Sequence, residues 1–298
     1  MLQDSFRSLV RAEGARLYRD LPWRNTRDPY RIWISEVMLQ QTQVPRVLTR
    51  WDAWLDQFPS VFALAEAPVA QVLAAWQGMG YNRRALALQA AACQVVEAYD
   101  GVFPCEAREL VALPGIGPAT AQGIRSFAFN LPGVYLETNV RTVFLHHCFP
   151  DAAGVPDREL TPLVEAACPA APGVSEPGPY AEPEDAADTP RSWYYALLDY
   201  GAELKRTIPN PSRRSSSYSR QSKFEGSRRQ KRAEVVRMLL AAGESGLALE
   251  EVTRGLSALE VRAGRGAVNG ELAQSILSDL VREGFCLYDG QKDSWRIA

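Results

Sequence analysis

Histidine is nearly missing from this chain: its 298 residues include two, His146 and His147, side by side. Adjacent residues on a helix point about 100° apart, so the pair offers no shared face to a metal. Cysteine is sparse and scattered. The five, Cys93, Cys105, Cys148, Cys168 and Cys286, form no C-x-x-C pair, which leaves a zinc ribbon or an iron–sulfur cluster without ligands. An odd, dispersed set fits a reducing compartment better than a disulfide framework. No metal and no cofactor are expected. A charge excess is lacking too, since 33 Lys and Arg face 35 Asp and Glu for a net charge of −2. That balance excludes a uniformly basic nucleic-acid coat and a strongly acidic disordered chain. No apolar run reaches the roughly 18 residues of a membrane span, and Asp4 and Arg7 stand where a signal peptide needs apolar length. A soluble, intracellular protein with no membrane partner is expected.

What is present is core material: 46% hydrophobic residues, with seven Trp, eleven Tyr and ten Phe. Helical spacing dominates, as in Ile34, Val37 and Met38, in Leu88, Ala92, Val95 and Val96, and in Val140, Val143, Phe144 and Cys148. Turn signals at Pro59, Gly78–Gly80, Pro104, Pro114–Gly117 and Pro132–Gly133 separate these runs. Residues 169–190 hold six prolines and five acids without a base, the composition of a solvated loop or linker. Residues 205–232 carry ten Lys or Arg against Glu225, a net +9. A charge run is usually a solvated face, but this imbalance also suits phosphate neutralisation. Residues 229–298 show three helical patterns followed by short strands at 285–288 and 294–297, a winged-helix pattern. The net −3 of residues 243–298 argues for a protein partner or packing at least as much as for DNA. The expected fold is all-α: a two-lobed domain over 1–228, then a winged-helix-like module over 229–298.

LPGIGPATA, residues 113–121, lies between a short helical pattern and a longer one. Gly115 and Gly117 permit a tight turn that aims amides at a phosphate, joined by Ala119 and Thr120 at the helix start. Alone, the string is equally an ordinary helix connection. Its company is LPWRNTRDPYRIWISEVMLQQTQV at 21–44, WQGMGYNRRALAL at 76–88, VYLETNVRTVF at 134–144 and WYYALLDYGAEL at 193–204.

Together these segments resemble the adenine-specific mismatch DNA glycosylases, the MutY family of the helix–hairpin–helix superfamily, over residues 5–168 and 191–204. The resemblance implies that Glu36 protonates a flipped adenine; Ile32, Trp33, Leu39 and Gln40 on its helix face favour a raised pKa. It places Glu137 where the family has an Asp that stabilises charge on the deoxyribose. Glu is a poorer N-cap than Asp, so Thr138 is an alternative cap, while the helix dipole favours an ionised carboxylate. Asn139 matches a family Asn near the sugar. Gln40, Gln41 and Tyr81 match positions that probe or wedge into the base stack, although two helix-surface amides and a core tyrosine are the plain alternatives.

Departures from the family are equally specific. Ala119 stands where bifunctional relatives carry a Lys nucleophile, so base removal without strand cleavage is expected. Lys205 stands at the first cluster-cysteine position. Arg213, Arg214, Arg220 and Lys223 are the candidates to grip DNA in place of the cluster loop. A winged-helix pattern stands in place of the Nudix-type domain, which leaves the opposite-base preference open. The expected protein is a monomeric, cytoplasmic, bacterial glycosylase of base excision repair acting on mismatched double-stranded DNA. Removal of thymine or uracil from mismatches, and non-catalytic DNA binding, stay as alternatives.

Overall fold

The computed structural model describes residues 2–170, 189–219 and 223–298. The acidic 169–190 stretch, apart from its ends, and Arg220 lie outside the described residues. In chain order these form α1 (Leu2–Leu17), α2 (Pro29–Leu39), α3 (Val44–Gln57), α4 (Val61–Glu66), α5 (Val69–Ala75), α6 (Arg83–Tyr99) and α7 (Ala107–Ala112). There follow α8 (Pro118–Ala128), α9 (Thr138–Cys148), α10 (Asp157–Ala167), α11 (Pro190–Thr207), α12 (Arg228–Ala242), α13 (Leu249–Arg262) and α14 (Gly270–Arg282). One antiparallel hairpin, β1 (Cys286–Asp289) and β2 (Ser294–Ile297), pairs Cys286 with Ile297 and Asp289 with Ser294. The mainly helical fold read from the periodicity is thus observed. No helix among the described residues is long and apolar enough to cross a membrane.

The chain forms two compact units, one of residues 1–48 and 103–220, the other of 49–102 and 221–298. This division cuts the chain differently from one at 228/229. In the first unit α2 packs on α8, and α11 packs on α1, α8 and α9. Local signals set the helix ends. Thr189 and Ser192 form a reciprocal capping box at the start of α11, with Pro190 at its first turn, which satisfies otherwise orphaned amides. Aromatic residues fill the interior: Phe127 stacks on Tyr195 at 4.4 Å, and Trp33 meets Phe103 at 5.3 Å. Asp199 accepts two hydrogen bonds from buried Arg24, at 2.7 and 2.8 Å, and two from Arg19, from its amide at 3.3 Å and its Nε at 2.5 Å. Cys148, expected on the apolar stripe of α9, is exposed, and Leu145 is buried instead.

In the second unit α4 and α5 pack on α6, and α12 touches α5. Trp54, Phe58 and Trp76 form one aromatic cluster, with Trp54–Trp76 at 5.4 Å. A second cluster of Val235, Val236, Leu239, Val252, Leu256, Ile276, Leu277, Leu280, Phe285 and Trp295 holds α12–α14 and the hairpin together. Buried Glu260 accepts from Arg265 at 2.7 and 2.9 Å and pairs with Lys231 at 3.2 Å; the Arg265 bonds pull its pKa down to about 2.

The basic run 205–232 is not a single loop. Lys205 and Arg206 belong to α11, and Arg228, Arg229, Lys231 and Arg232 belong to α12. Several of its charges are met internally, by Arg206–Glu203, Arg228–Asp279, Lys231–Glu260 and Arg232–Glu283.

Candidate active site

α2 begins where Asp28 accepts from the Tyr30 amide at 2.9 Å and Pro29 fills the first turn. Ile32, Trp33, Ile34, Val37 and Met38 are buried, and Glu36 is half-buried between them. Tyr135 Oη donates to Glu36 Oε2 at 2.8 Å. Gly123 of α8 lies so close that a Cβ there would overlap Oε2. Burial raises the Glu36 carboxyl from 4.5 to about 8; the Tyr135 hydrogen bond opposes this, and the negative charge of Glu137 adds to it. An acid with that pKa carries its proton at neutral pH.

Neither Tyr135 nor Gly123 was singled out from the sequence. Gly123 did leave a signal, since an isolated glycine in a helical pattern costs about 1 kcal/mol against alanine and so implies a packing reason. Tyr135 left none, because the loop that carries it to Glu36 has no periodicity. Its backbone amide donates to Tyr194 Oη at 3.1 Å, which places the ring.

Glu137 itself caps α9. Its Oε1 accepts from the amides of Asn139 at 2.6 Å and Val140 at 3.4 Å. Thr138 is therefore not the cap: it is the first helical residue, and its carbonyl accepts from Thr142 Oγ1 at 2.7 Å. The electrostatic expectation also needs correction. Burial raises the Glu137 pKa more than the Asn139 amide, the Lys205 charge and the Val140 and Thr138 amides lower it. The two carboxyls still differ in what opposes burial: the Tyr135 hydroxyl at Glu36, backbone amides and the Lys205 charge at Glu137. Asn139 Oδ1 is buried without a hydrogen-bond partner among the described residues, so an acceptor is held ready beside Glu137. Gly201 of α11 faces Asn139, where a Cβ would overlap the Asn139 carbonyl. Lys205 lies one turn further along α11, and its charge reaches Glu137.

The hairpin joins α7 to α8. Gly115 takes φ +74°, which favours glycine, and Gly117 forms the N-cap with open space where a side chain would be. Ala119 is exposed, and Thr120 Oγ1 accepts from Gln40 Nε2 at 3.1 Å. Gln40 therefore bridges α2 to the hairpin, while exposed Gln41, at φ +53°, turns the chain out of α2. Tyr81 belongs to the other unit, is half-buried and has φ +49°. Arg213 and Lys223 are exposed, the latter 3.8 Å from Glu225. Arg214 instead donates to the carbonyls of Leu145 and Phe149 at the end of α9. Among the described residues no three His, Cys, Asp or Glu side chains gather as a metal site, all five cysteines are free, and Lys205 lies near the end of α11.

The site thus sets a carboxyl on α2, raised by burial, in the same unit as the α7–α8 hairpin and a second carboxyl at the start of α9. Residues 34–164 match the family described as HhH-GPD superfamily base excision DNA repair protein. Adenine DNA glycosylases are similar to about two-fifths of the chain. The one from Mycolicibacterium smegmatis is 44% identical over 126 residues, covering 42% of this chain and 43% of that protein. The one from Mycobacterium tuberculosis (strain H37Rv) is 42% identical over 129 residues, covering 43% and 42%. The one from Buchnera aphidicola subsp. Baizongia pistaciae is 38% identical over 129 residues, covering 43% and 37%. The chain is thus similar, over residues 34–164, to the HhH-GPD superfamily and, over about 130 residues, to adenine DNA glycosylases. The chain spans about two-fifths of the length of these curated relatives. A thermostable thymine-DNA glycosylase shares the fold, with a TM-score of 0.56 at 22% identity over 77% of this chain and 94% of that one. So does an endonuclease III–DNA complex, with a TM-score of 0.52 at 16% identity over 76% and 93%.

Proposed function

We propose that this protein is a monofunctional DNA glycosylase of base excision repair that hydrolyses the N-glycosidic bond of adenine mispaired with 8-oxoguanine or guanine. The observation that carries this reading is Glu36: a half-buried carboxyl raised to about 8 with a second carboxyl, Glu137, close enough to feel its charge. Tyr135 donates to Oε2, which leaves Oε1 to hold the proton. Glu36 gives that proton to a ring nitrogen of the flipped adenine. The C1′–N9 bond then breaks, and its electron pair leaves with the base. Glu137 faces the cationic deoxyribose, where that positive charge joins two amides and Lys205 in favouring its ionised form against burial, and Asn139 Oδ1 orients the sugar or the attacking water. Ala119 offers no amine for a Schiff base, so the product is an abasic site in an unbroken strand.

The hairpin amides around Gly115 and Gly117 suit a DNA phosphate. Gln40, Gln41 and Tyr81 suit the stack that base flipping opens, and Arg213 and Lys223 suit the backbone. Residues 229–298 serve as a winged-helix-like module, and the protein acts as a cytoplasmic monomer on the chromosome. Duplexes with A opposite 8-oxoguanine, A opposite G, and T or U opposite G, treated with alkali after incubation, test this. Cleavage after alkali of the adenine duplexes alone is expected. Cleavage confined to T or U assigns a pyrimidine mismatch glycosylase, and no cleavage from any duplex leaves DNA binding alone.

A further inference from the structure

The turn that carries Tyr81 is built from conformations side chains avoid. Gly78, Gly80 and Tyr81 have φ of +85°, +72° and +49°, and a tyrosine adopts the last only when its surroundings hold it there. Trp76 Nε1 donates to the Gly80 carbonyl at 3.0 Å, and Arg84 Nη2 donates to the carbonyls of Met79 and Gly80, each at 3.0 Å. Around this turn guanidinium groups and rings alternate. Arg84 lies 5.1 Å from the Trp76 ring and 5.6 Å from the Tyr81 ring; Arg229 lies 5.0 Å from the Tyr81 ring and 5.4 Å from that of Phe224. Arg229 Nη1 also donates to Tyr81 Oη at 2.7 Å. The stack runs from buried Trp76 to exposed Phe224.

Arg229 comes from α12, three of whose other bases bind α13 and α14. Arg228 pairs with Asp279, Lys231 with Glu260 and Arg232 with Glu283. Arg229 is set on the tyrosine instead, where it orients the hydroxyl and keeps positive charge on the ring face. An electropositive aromatic group on a preset turn is suited to an unstacked nucleobase between phosphates.

We propose that Arg229 is a positioning residue for mismatch discrimination: it sets the ring of Tyr81 at the angle at which the base stack is probed. This rests on the glycosylase reading above and deepens it. Residues 229–298 thereby influence which duplex is held without touching the bond that breaks.

The test uses the full chain and two labelled duplexes, one with A opposite 8-oxoguanine and one fully matched, with affinities at fixed salt and single-turnover excision rates. Arg229→Met is expected to lower the ratio of mismatched to matched affinity about tenfold, the scale of one charge-assisted hydrogen bond, with a smaller loss in the saturating excision rate. Arg229→Lys, which keeps charge but not the planar fork, recovers part of the ratio. Tyr81→Phe, which removes only the acceptor and retains the ring, loses a few-fold of it. In a Tyr81→Ala background Arg229→Met changes the ratio no further. An unchanged ratio in both Arg229→Met and Tyr81→Phe overturns the proposal. So does equal weakening of both duplexes with a flatter salt dependence, which marks a plain phosphate contact, or full additivity with Tyr81→Ala. Wild-type protein that neither excises nor discriminates removes the glycosylase reading itself, and this proposal with it.

Discussion

The carboxyl site on α2 and the stack around Tyr81 both set ionisable groups against aromatic rings, with opposite consequences. At Glu36 burial outweighs every stabilising contact, so the group gives up its charge and becomes an acid near pH 8. Beside Tyr81, Arg84 remains a cation: burial lowers its pKa only to about 10, still above neutrality. A carboxylate loses most of its hydration when enclosed and takes up a proton at modest cost. A guanidinium stays charged in nearly any setting and is satisfied by carbonyls and ring faces. One region is thereby suited to moving a proton, the other to holding an anion.

Glu36→Gln should break the first half of this contrast most severely. Base release is expected to fall by about 10²–10⁴-fold, measured in single-turnover assays, while duplex affinity stays near that of the wild type. A loss of affinity equal to the loss of rate would show that Glu36 binds rather than reacts.

The buried pair Arg24–Asp199 shows what retaining charge inside the first unit requires. Asp199→Asn leaves Arg24 without its bidentate partner and should cost about 3–5 kcal/mol, read from denaturant unfolding. A loss under 1 kcal/mol would mean that the carbonyl of Arg19, which also accepts from Arg24, suffices.

Gly123→Ala should separate position from protonation. The added methyl displaces the Glu36 carboxyl and presses on the Tyr135 ring, so rate falls about a hundredfold, while helix propensity offsets part of an overpacking cost of about 1–3 kcal/mol. Unchanged rate would show that the carboxyl works equally well elsewhere.

A pH series sharpens the same point. Glu36 has a folded pKa of about 8, above its ordinary 4.5, so its contribution to stability is fully present below about pH 4.5 and is lost as pH rises through about 8. Glu36→Gln should therefore gain in melting temperature over the wild type as pH goes from 5 to 9. The wild-type excision rate should decline above about pH 8. A melting difference that is flat with pH would mean that the carboxyl is solvated.

The smallest effect should come from exposed cations. Neutralising Arg213 and Lys223 together is expected to reduce the slope of log affinity against log salt by about 2, with excision at saturation preserved. Arg214 is left out because it bonds the end of α9, and its loss would mix stability with binding.

Much of this site was legible in residue order. The SEVMLQQT string singled out Glu36, and the glycine spacing in LPGIGPATA marked the turn between α7 and α8. Tyr135 was not legible, because its role depends on a loop bringing it to a residue 99 positions away. The basic run 205–232 misled in a simple way. A count of charges is blind to partners, and Glu203, Glu260, Asp279 and Glu283 meet several of those ten. Glu137 misled differently: side-chain propensity favours Asp or Thr as a cap, yet the longer arm reaches two amides.

Sequence alone settled what depends on neighbours within a turn or two: the helical fold, the glycine turns and the place of Glu36 on α2. Only the tertiary structure decided what depends on enclosure and on long-range partners. Water exclusion converts Glu36 from an ordinary carboxylate into an acid, and α12 supplies the guanidinium beside Tyr81. Both arise where residues far apart in the chain come within hydrogen-bond reach, a distance that spacing along the chain does not encode.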